Sequence, residues 1–210
     1  MAGTTTNYGW TYPTSTDLVK DGATAIQTAI QGADTSLFTA LGGAYPGLRL
    51  IKKQTIGSGV SSVIVTSAFS ATYTNYLIAV SDVQCSAVND SIGVQMRTGS
   101  TTSTTGYYFV LLYATYGGVS GNSVQNNGSS WNNVGRGISA TDKVSFSFDL
   151  HSPFLASKTE IAGKNAVGSD IAGVSTGYHN SAVSYDQIVI NTLSGTLTGG
   201  TIYVYGYGTS

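Results

Sequence analysis

From Leu48 onward the chain alternates apolar and polar residues in twos, and turn residues cut the alternation into short runs. Val144, Phe146, Phe148 and Leu150 fall on one side of such a run, Ser145, Ser147 and Asp149 on the other. Ile202, Val204 and Gly206 oppose Tyr203, Tyr205 and Tyr207 in the same way. Successive side chains of a strand point to opposite faces, so this rhythm predicts half-buried strands and excludes helices there. Strands are expected over residues 48–56, 62–71, 76–84, 92–97, 107–116, 131–134, 143–150, 158–162, 183–193 and 200–207. Asn89-Asp90, Gly117-Gly118, Asn126-Asn127-Gly128 and Thr198-Gly199-Gly200 supply turns between them. No helical pattern lies between these runs, which excludes βαβ units. No fixed-period repeat occurs, which argues against a β-helix spike or a propeller. The expected class is mainly β: a short N-terminal helix followed by an antiparallel, jelly-roll-like β-sandwich.

Residues 17–41 carry the one helical pattern. Val19, Ala23, Ile26, Ile30, Ala33, Leu37 and Ala40 are spaced alternately four and three apart, the a/d rhythm of a coiled-coil seam. Thr16 and Asp17 are placed to cap the start, and Gly42-Gly43 followed by Pro46 to end it. Gly22 and Gly32 inside the run each cost about 1 kcal/mol relative to Ala, so the helix needs a partner surface. The seam can pack on its own chain's β-domain or on copies of itself. Its narrowness favours self-association, because a helix covering a sheet needs a wider apolar face. The expected division is a 1–47 attachment segment and stem and a 48–210 head.

Composition limits the chemistry. Charged residues make up only 9% of the 210, against about 25% in an average soluble domain. The hydrophobic share is an ordinary 41%, so neutral polar residues replace the missing charge: 55 are Ser or Thr and 14 are Tyr. Disordered chains combine high charge with low hydrophobicity, so disorder is not expected. A net charge of −1 gives no electrostatic footprint for nucleic acid. The longest apolar stretch, residues 107–114, is far short of the ~20 residues a membrane helix requires. The first twenty residues lack a basic and then apolar leader, so synthesis in a cytoplasm without membrane insertion is expected. The single Cys85 excludes an intrachain disulfide and reads as a small buried hydrophobe.

Groups able to move protons or hold metal are sparse. His151 and His179 have no metal-ligand spacing, and neither a metal nor any other cofactor is expected. Asp149 and His151 would share a strand face, which reads as a surface pair, and His179 reads as a polar loop residue. No motif joins any two of Asp142, Asp149, Glu160, Asp170 and Asp186 into a carboxylate pair for glycoside hydrolysis. A non-enzymatic protein is expected. Tyr107, Tyr108, Tyr113, Tyr116 and Trp131, with the 122–133 segment read as a loop, put aromatic faces beside amides and hydroxyls. Such surfaces hold neutral sugars, and the same tyrosines also serve as ordinary cross-strand partners. Tyr107, Tyr108, Tyr116 and Trp131 are the candidates for receptor or glycan contact.

The stretch Asn7-Tyr8-Gly9-Trp10-Thr11-Tyr12-Pro13, continuing as Thr16-Asp17-Leu18-Val19-Lys20-Asp21-Gly22-Ala23, resembles the opening of many tailed-bacteriophage virion proteins of minor-tail, fibre or structural type. Residues 199–207 resemble the last strand of the β-sandwich heads on such proteins. The resemblance implies a virion surface protein, often homotrimeric, anchored to capsid or tail proteins by its N-terminal segment. Tyr8, Trp10, Tyr12 and Pro13 would match the attachment segment, and the seam Val19, Ala23, Ile26, Ile30, Ala33 and Leu37 the trimer stem. Only about forty-seven residues precede the head, which shortens the reach of a tail fibre and leaves capsid decoration as the alternative. A polysaccharide-cleaving spike is the least favoured reading.

Overall fold

The computed structural model describes residues 3–6, 10–12, 14, 19–40, 47–137, 140–167 and 171–208. The chain divides into two compact units, Met1–Gly47 with Gly208–Ser210, and Leu48–Tyr207.

In the first unit, β1 (Gly3–Thr4) pairs antiparallel with β2 (Thr11–Tyr12), ahead of the helix α1 (Val19–Ala40). Trp10 joins hairpin to helix. Its indole lies where a Cβ on Gly32 would come within 3.3 Å of the ring, and its Nε1–H donates to Ser36 Oγ at 2.9 Å. The interior glycine thus makes room for an indole. Ala25, Ala29, Gly32 and Ser36 form the half-covered face beneath it. The seam lies roughly a third of a turn away around the helix. There Ile26, Ile30 and Leu37 stay 52%, 64% and 65% exposed. The expected caps and helix stop (residues 16, 17, 42, 43 and 46), together with Tyr8 and Pro13, lie outside the described residues, as do the side chains of Val19 and Ala40.

The second unit is a two-sheet sandwich. Its elements begin with β3 (Gly47–Thr55), β4 (Ser62–Val65), β5 (Asn75–Cys85), β6 (Ser91–Thr98), β7 (Thr101–Thr102), β8 (Tyr107–Thr115) and β9 (Ser120–Gly128). They continue with β10 (Trp131–Arg136), β11 (Lys143–His151), β12 (Thr159–Val167), β13 (Ile171–His179), β14 (Gln187–Thr192), β15 (Leu197–Thr198) and β16 (Thr201–Gly208). The large sheet runs β3-β16-β5-β11-β12-β13-β8-β9, the small one β10-β6-β14-β4, with β15 and β7 attached to β5 and β6. Neighbours from β16 to β9 pair antiparallel, as do those of the small sheet. The chain changes sheet after β3, β4, β5, β7, β9, β10, β13 and β14, a back-and-forth winding of jelly-roll character. The fold is therefore mainly β: among the described residues one helix near the N-terminus precedes, in sequence, an antiparallel sandwich.

The core lies between the sheets and consists of the residues that the alternation turns inward. Val144, Phe146, Phe148 and Leu150 of β11 and Ile202 and Val204 of β16 face Ile92, Val94 and Met96 of β6 and Ile188 and Ile190 of β14. In β5 the buried set changes parity, from Tyr76, Ile78 and Val80 to Val83 and Cys85. A bulge at Asp82 (φ 58°) absorbs the extra residue, and the Asp82 amide donates to Ser145 Oγ at 3.0 Å. Cys85 is buried, and burial followed by the nearby Asp90 charge pushes its thiol up to about 11.

Several segments depart from the sequence expectation. The expected 62–71 strand ends at Val65, and the expected 183–193 strand covers only Gln187–Thr192. The 122–133 segment read as a loop is largely strand, in β9 and β10, and His179, read as a loop residue, ends β13. β9 is an edge strand with no buried side chain, so its residues were never constrained to alternate. In β13 the inward positions carry Gly173, Ser175 and Gly177 between Ile171 and His179. A Cβ at Gly177 would come within 2.2 Å of the Tyr108 carbonyl oxygen, so β8 sits too close for any side chain there.

Candidate functional site

Strand register builds a row of side chains across the outer face of the large sheet. Asn75 pairs with His151, His151 with Glu160, Glu160 with Tyr178, and Tyr178 with Tyr108. One step along the strands the next row carries Asp149, Ala162, Thr176, Val110 and Val124. Large side chains beside small ones leave a depression of about 740 Å³, bounded on its far side by Val124, Gln125 and Asn126.

Tyr108 and Tyr178 stack across β8 and β13, with ring centroids 4.7 Å apart and planes 6° from parallel. The Lys158 ammonium lies 5.0 Å from the Tyr178 centroid, a cation–π contact that holds the pair upright. His151 Nδ1 is 3.3 Å from Asn75 Oδ1, an amide oxygen that only accepts, so the proton is assigned to Nδ1 and Nε2 is left as an acceptor. Asp149 accepts from the Tyr207 hydroxyl, and that bond, followed by burial, pushes Tyr207 up to about 12. Asp149 and His151 share the outer face, each held by a different neighbour.

Of the four residues expected to reach a receptor or glycan, the structure corrects two. Tyr107 and Trp131 are fully buried, packed edge to face at 5.1 Å. The Met96 amide donates to the Tyr107 hydroxyl at 2.7 Å, and that hydroxyl donates to the Ser103 carbonyl at 3.2 Å. Burial raises the Tyr107 pKa well above the usual phenol value. Neither side chain can touch a ligand in the folded protein. Tyr108 and Tyr116 remain on the surface but do not share a site. Tyr116 is 66% exposed in the β8–β9 turn, eight residues and roughly 27 Å along the strand from Tyr108. Tyr178 and Thr176 are groove residues the sequence reading passed over, and Glu160 was weighed only as a catalytic carboxylate. Outward parity in a strand ending at His179 would have flagged Tyr178 and Thr176.

Of the residues matched to an attachment segment, Trp10 spends its indole on its own helix, and Tyr12 is 44% exposed.

His179 is a core residue instead of a loop residue. Its Nε2–H is shared between the Thr105 carbonyl at 3.0 Å and Ser103 Oγ at 2.9 Å, and Nδ1 accepts from the Tyr185 hydroxyl at 3.3 Å. Tyr107 packs against the ring at 4.4 Å. Burial lowers its pKa, with the Thr105 bond opposing in part. The unfolded chain therefore takes up this proton first, at about pH 6.5. Its contribution to stability is complete above that pH, declines below it, and stops declining beneath the folded pKa. One proton limits the slope to about 1.4 kcal/mol per pH unit. Thermal melts between pH 7.5 and 5 should show this decline, and His179→Gln should lower stability at pH 7.5 while flattening the curve. An equal slope in both proteins would refute the assignment.

Among the described residues, no three His, Cys, Asp or Glu side chains cluster as a metal site. No helix among those residues is long and apolar enough to cross a membrane. No protein-family model matches the chain, and no curated protein sequence matches it either.

Proposed function

We propose that this chain is a non-enzymatic structural protein on the surface of a tailed-phage particle. It assembles as a homotrimer through its N-terminal helix and displays the sandwich as a tail- or fibre-associated head for host contact. Its partners are copies of itself and the capsid or tail proteins that hold it. The observation that carries this reading is the stripe of Ile26, Ile30 and Leu37, 52–65% exposed on a helix whose Trp10-covered face is a different one. Burying one such side chain contributes about 1.5–3 kcal/mol, so three copies of the stripe supply a substantial driving force. The phage setting is supported by the resemblance of the N-terminal motif.

Sedimentation equilibrium of the full-length protein should give three times the 21.7 kDa chain mass. Ile30→Asp would place a carboxylate in the seam and should reduce the mass to one chain while leaving the head's melting transition in place. A monomeric wild type overturns the stem. Quantitative mass spectrometry of purified particles tests the location: a handful of copies, in multiples of three, fits a tail or vertex. Tens to hundreds of copies per particle would favour capsid decoration instead.

A further inference from the structure

We infer that the outer-face groove beside Tyr108 and Tyr178 is a binding site for a neutral oligosaccharide. Its setting is the displayed head proposed above.

The walls have the mixed character a sugar needs. Val110, Val124 and the parts of the two phenol rings left uncovered by their mutual stacking and by Lys158 offer apolar surface to the C–H faces of a pyranose. The polar groups around them have open valences. Neither the Tyr108 nor the Tyr178 hydroxyl, nor the Glu160 carboxylate, the Thr176 hydroxyl or the Asn126 amide, hydrogen-bonds to the protein among the described residues. His151, fixed through Nδ1, presents an acceptor at Nε2. Acceptors, donors and apolar surface thus converge on about 740 Å³, within the usual ~300–1,000 Å³ of ligand sites.

Charge selects the ligand class. Glu160 and Lys158 carry opposite signs at one end, the Asp149 carboxylate of the neighbouring row is engaged by the Tyr207 hydroxyl, and the remaining lining residues carry no carboxylate, ammonium or guanidinium. An anionic sugar would meet the Glu160 carboxylate without a bidentate cation to compensate, and a cationic ligand would meet Lys158. A neutral polyhydroxyl ligand needs neither charge desolvated. Preorganisation helps as well. The stacked rings and the Asn75-bound imidazole are already in place, so little side-chain ordering has to accompany binding.

The test uses the full-length protein on an array of neutral hexose and N-acetylhexosamine oligosaccharides alongside sialylated and sulfated ones. Retention on neutral glycans is expected. Thr176→Arg fills the groove from an exposed strand position and should weaken retention at least tenfold at unchanged melting temperature. Tyr178→Ala should weaken it comparably, and Tyr116→Ala, in the distant turn, should not change it. Retention only on anionic glycans, retention unaffected by Thr176→Arg, or no retention on any glycan would each overturn the assignment. So would concentration-dependent amide protection of β8, β12 and β13 without glycan, which would make the groove a protein contact. An empty array from a trimeric protein removes the sugar site alone, whereas a monomeric protein that still binds neutral glycans removes the stem alone.

Discussion

Replacing Asp90 with Ala should lower the melting temperature of the sandwich by about 10 °C. Asp90 is 2% exposed at the turn between β5 and β6, yet its carboxylate is fully engaged. It accepts from the Ser194 amide and hydroxyl, both at 3.1 Å, from the Gly195 amide at 2.9 Å, and from the Thr192 hydroxyl. One side chain thereby fastens the turn after β14 to the turn before β6. Gly195 packs so closely that a Cβ there would come within 2.9 Å of Asp90 Oδ2. Deleting the carboxylate leaves the two backbone amides only the Thr192 hydroxyl to share, at 3.3 and 3.0 Å, and bonds to a charged acceptor are worth about 1.5–3 kcal/mol each. Because the four act as a unit, a total on the order of 3–4 kcal/mol is expected rather than their sum. A unit of this size loses about 2–4 °C per kcal/mol. Asp90→Asn keeps the shape but turns one acceptor into a donor facing donors, so its melting temperature should fall between wild type and Asp90→Ala. Calorimetry on the three proteins decides it. An Asp90→Ala protein melting within a degree of wild type would show that water replaces the carboxylate at no cost.

Asp90 also marks a limit of sequence reading. Asn89-Asp90 is legible as a turn, but nothing local says that the carboxylate will be claimed by residues 102–105 positions away. What was legible follows from period two. β11 and β16 alternate strictly because one face meets the core and the other solvent, and their burial follows the sequence residue by residue. Where alternation weakens, so does legibility. β5 keeps its core face only by inserting Asp82 as a bulge. In β9 no side chain is buried, and in β13 two of five inward positions are glycine because β8 lies against them.

The groove was half legible for a related reason. The run Tyr107-Tyr108-Phe109-Val110-Leu111-Leu112 is apolar at both parities, so it reads as a strand without saying which face is inside. Parity is settled from a distance: Tyr107, Phe109 and Leu111 turn in against the small sheet, which leaves Tyr108, Val110 and Leu112 outside. Tyr178 joins Tyr108 only through the β8–β13 register, and that register follows from the pairing of segments about seventy residues apart. The aromatic composition was visible in the sequence. The pairing that turns two tyrosines into a wall was not.

Trp131→Ala and Trp131→Phe should separate a core role from a contact role, with effects of very different size. Trp131 is fully buried, lies edge-on to Tyr107 at 5.1 Å and faces the His179 ring at 6.4 Å. Its indole N–H is buried and finds no hydrogen-bond partner among the described residues. Truncation to Ala opens a cavity beside the two rings and should cost about 3–5 kcal/mol, enough to lower the melting temperature by roughly 10–15 °C. Phe leaves a smaller void and removes the unpaired donor, whose burial alone costs about 1–3 kcal/mol. These two effects of Phe oppose each other, so the Trp131→Phe protein should melt within a few degrees of wild type. A residue that touched a ligand would behave in the reverse way, losing binding in both variants with the melting temperature unmoved. Full retention of cell or glycan binding by Trp131→Phe, with a large thermal loss in Trp131→Ala, is the result a core tryptophan requires. Loss of binding by a Trp131→Phe protein of wild-type stability would return this residue to the surface and undo the inward parity of β10.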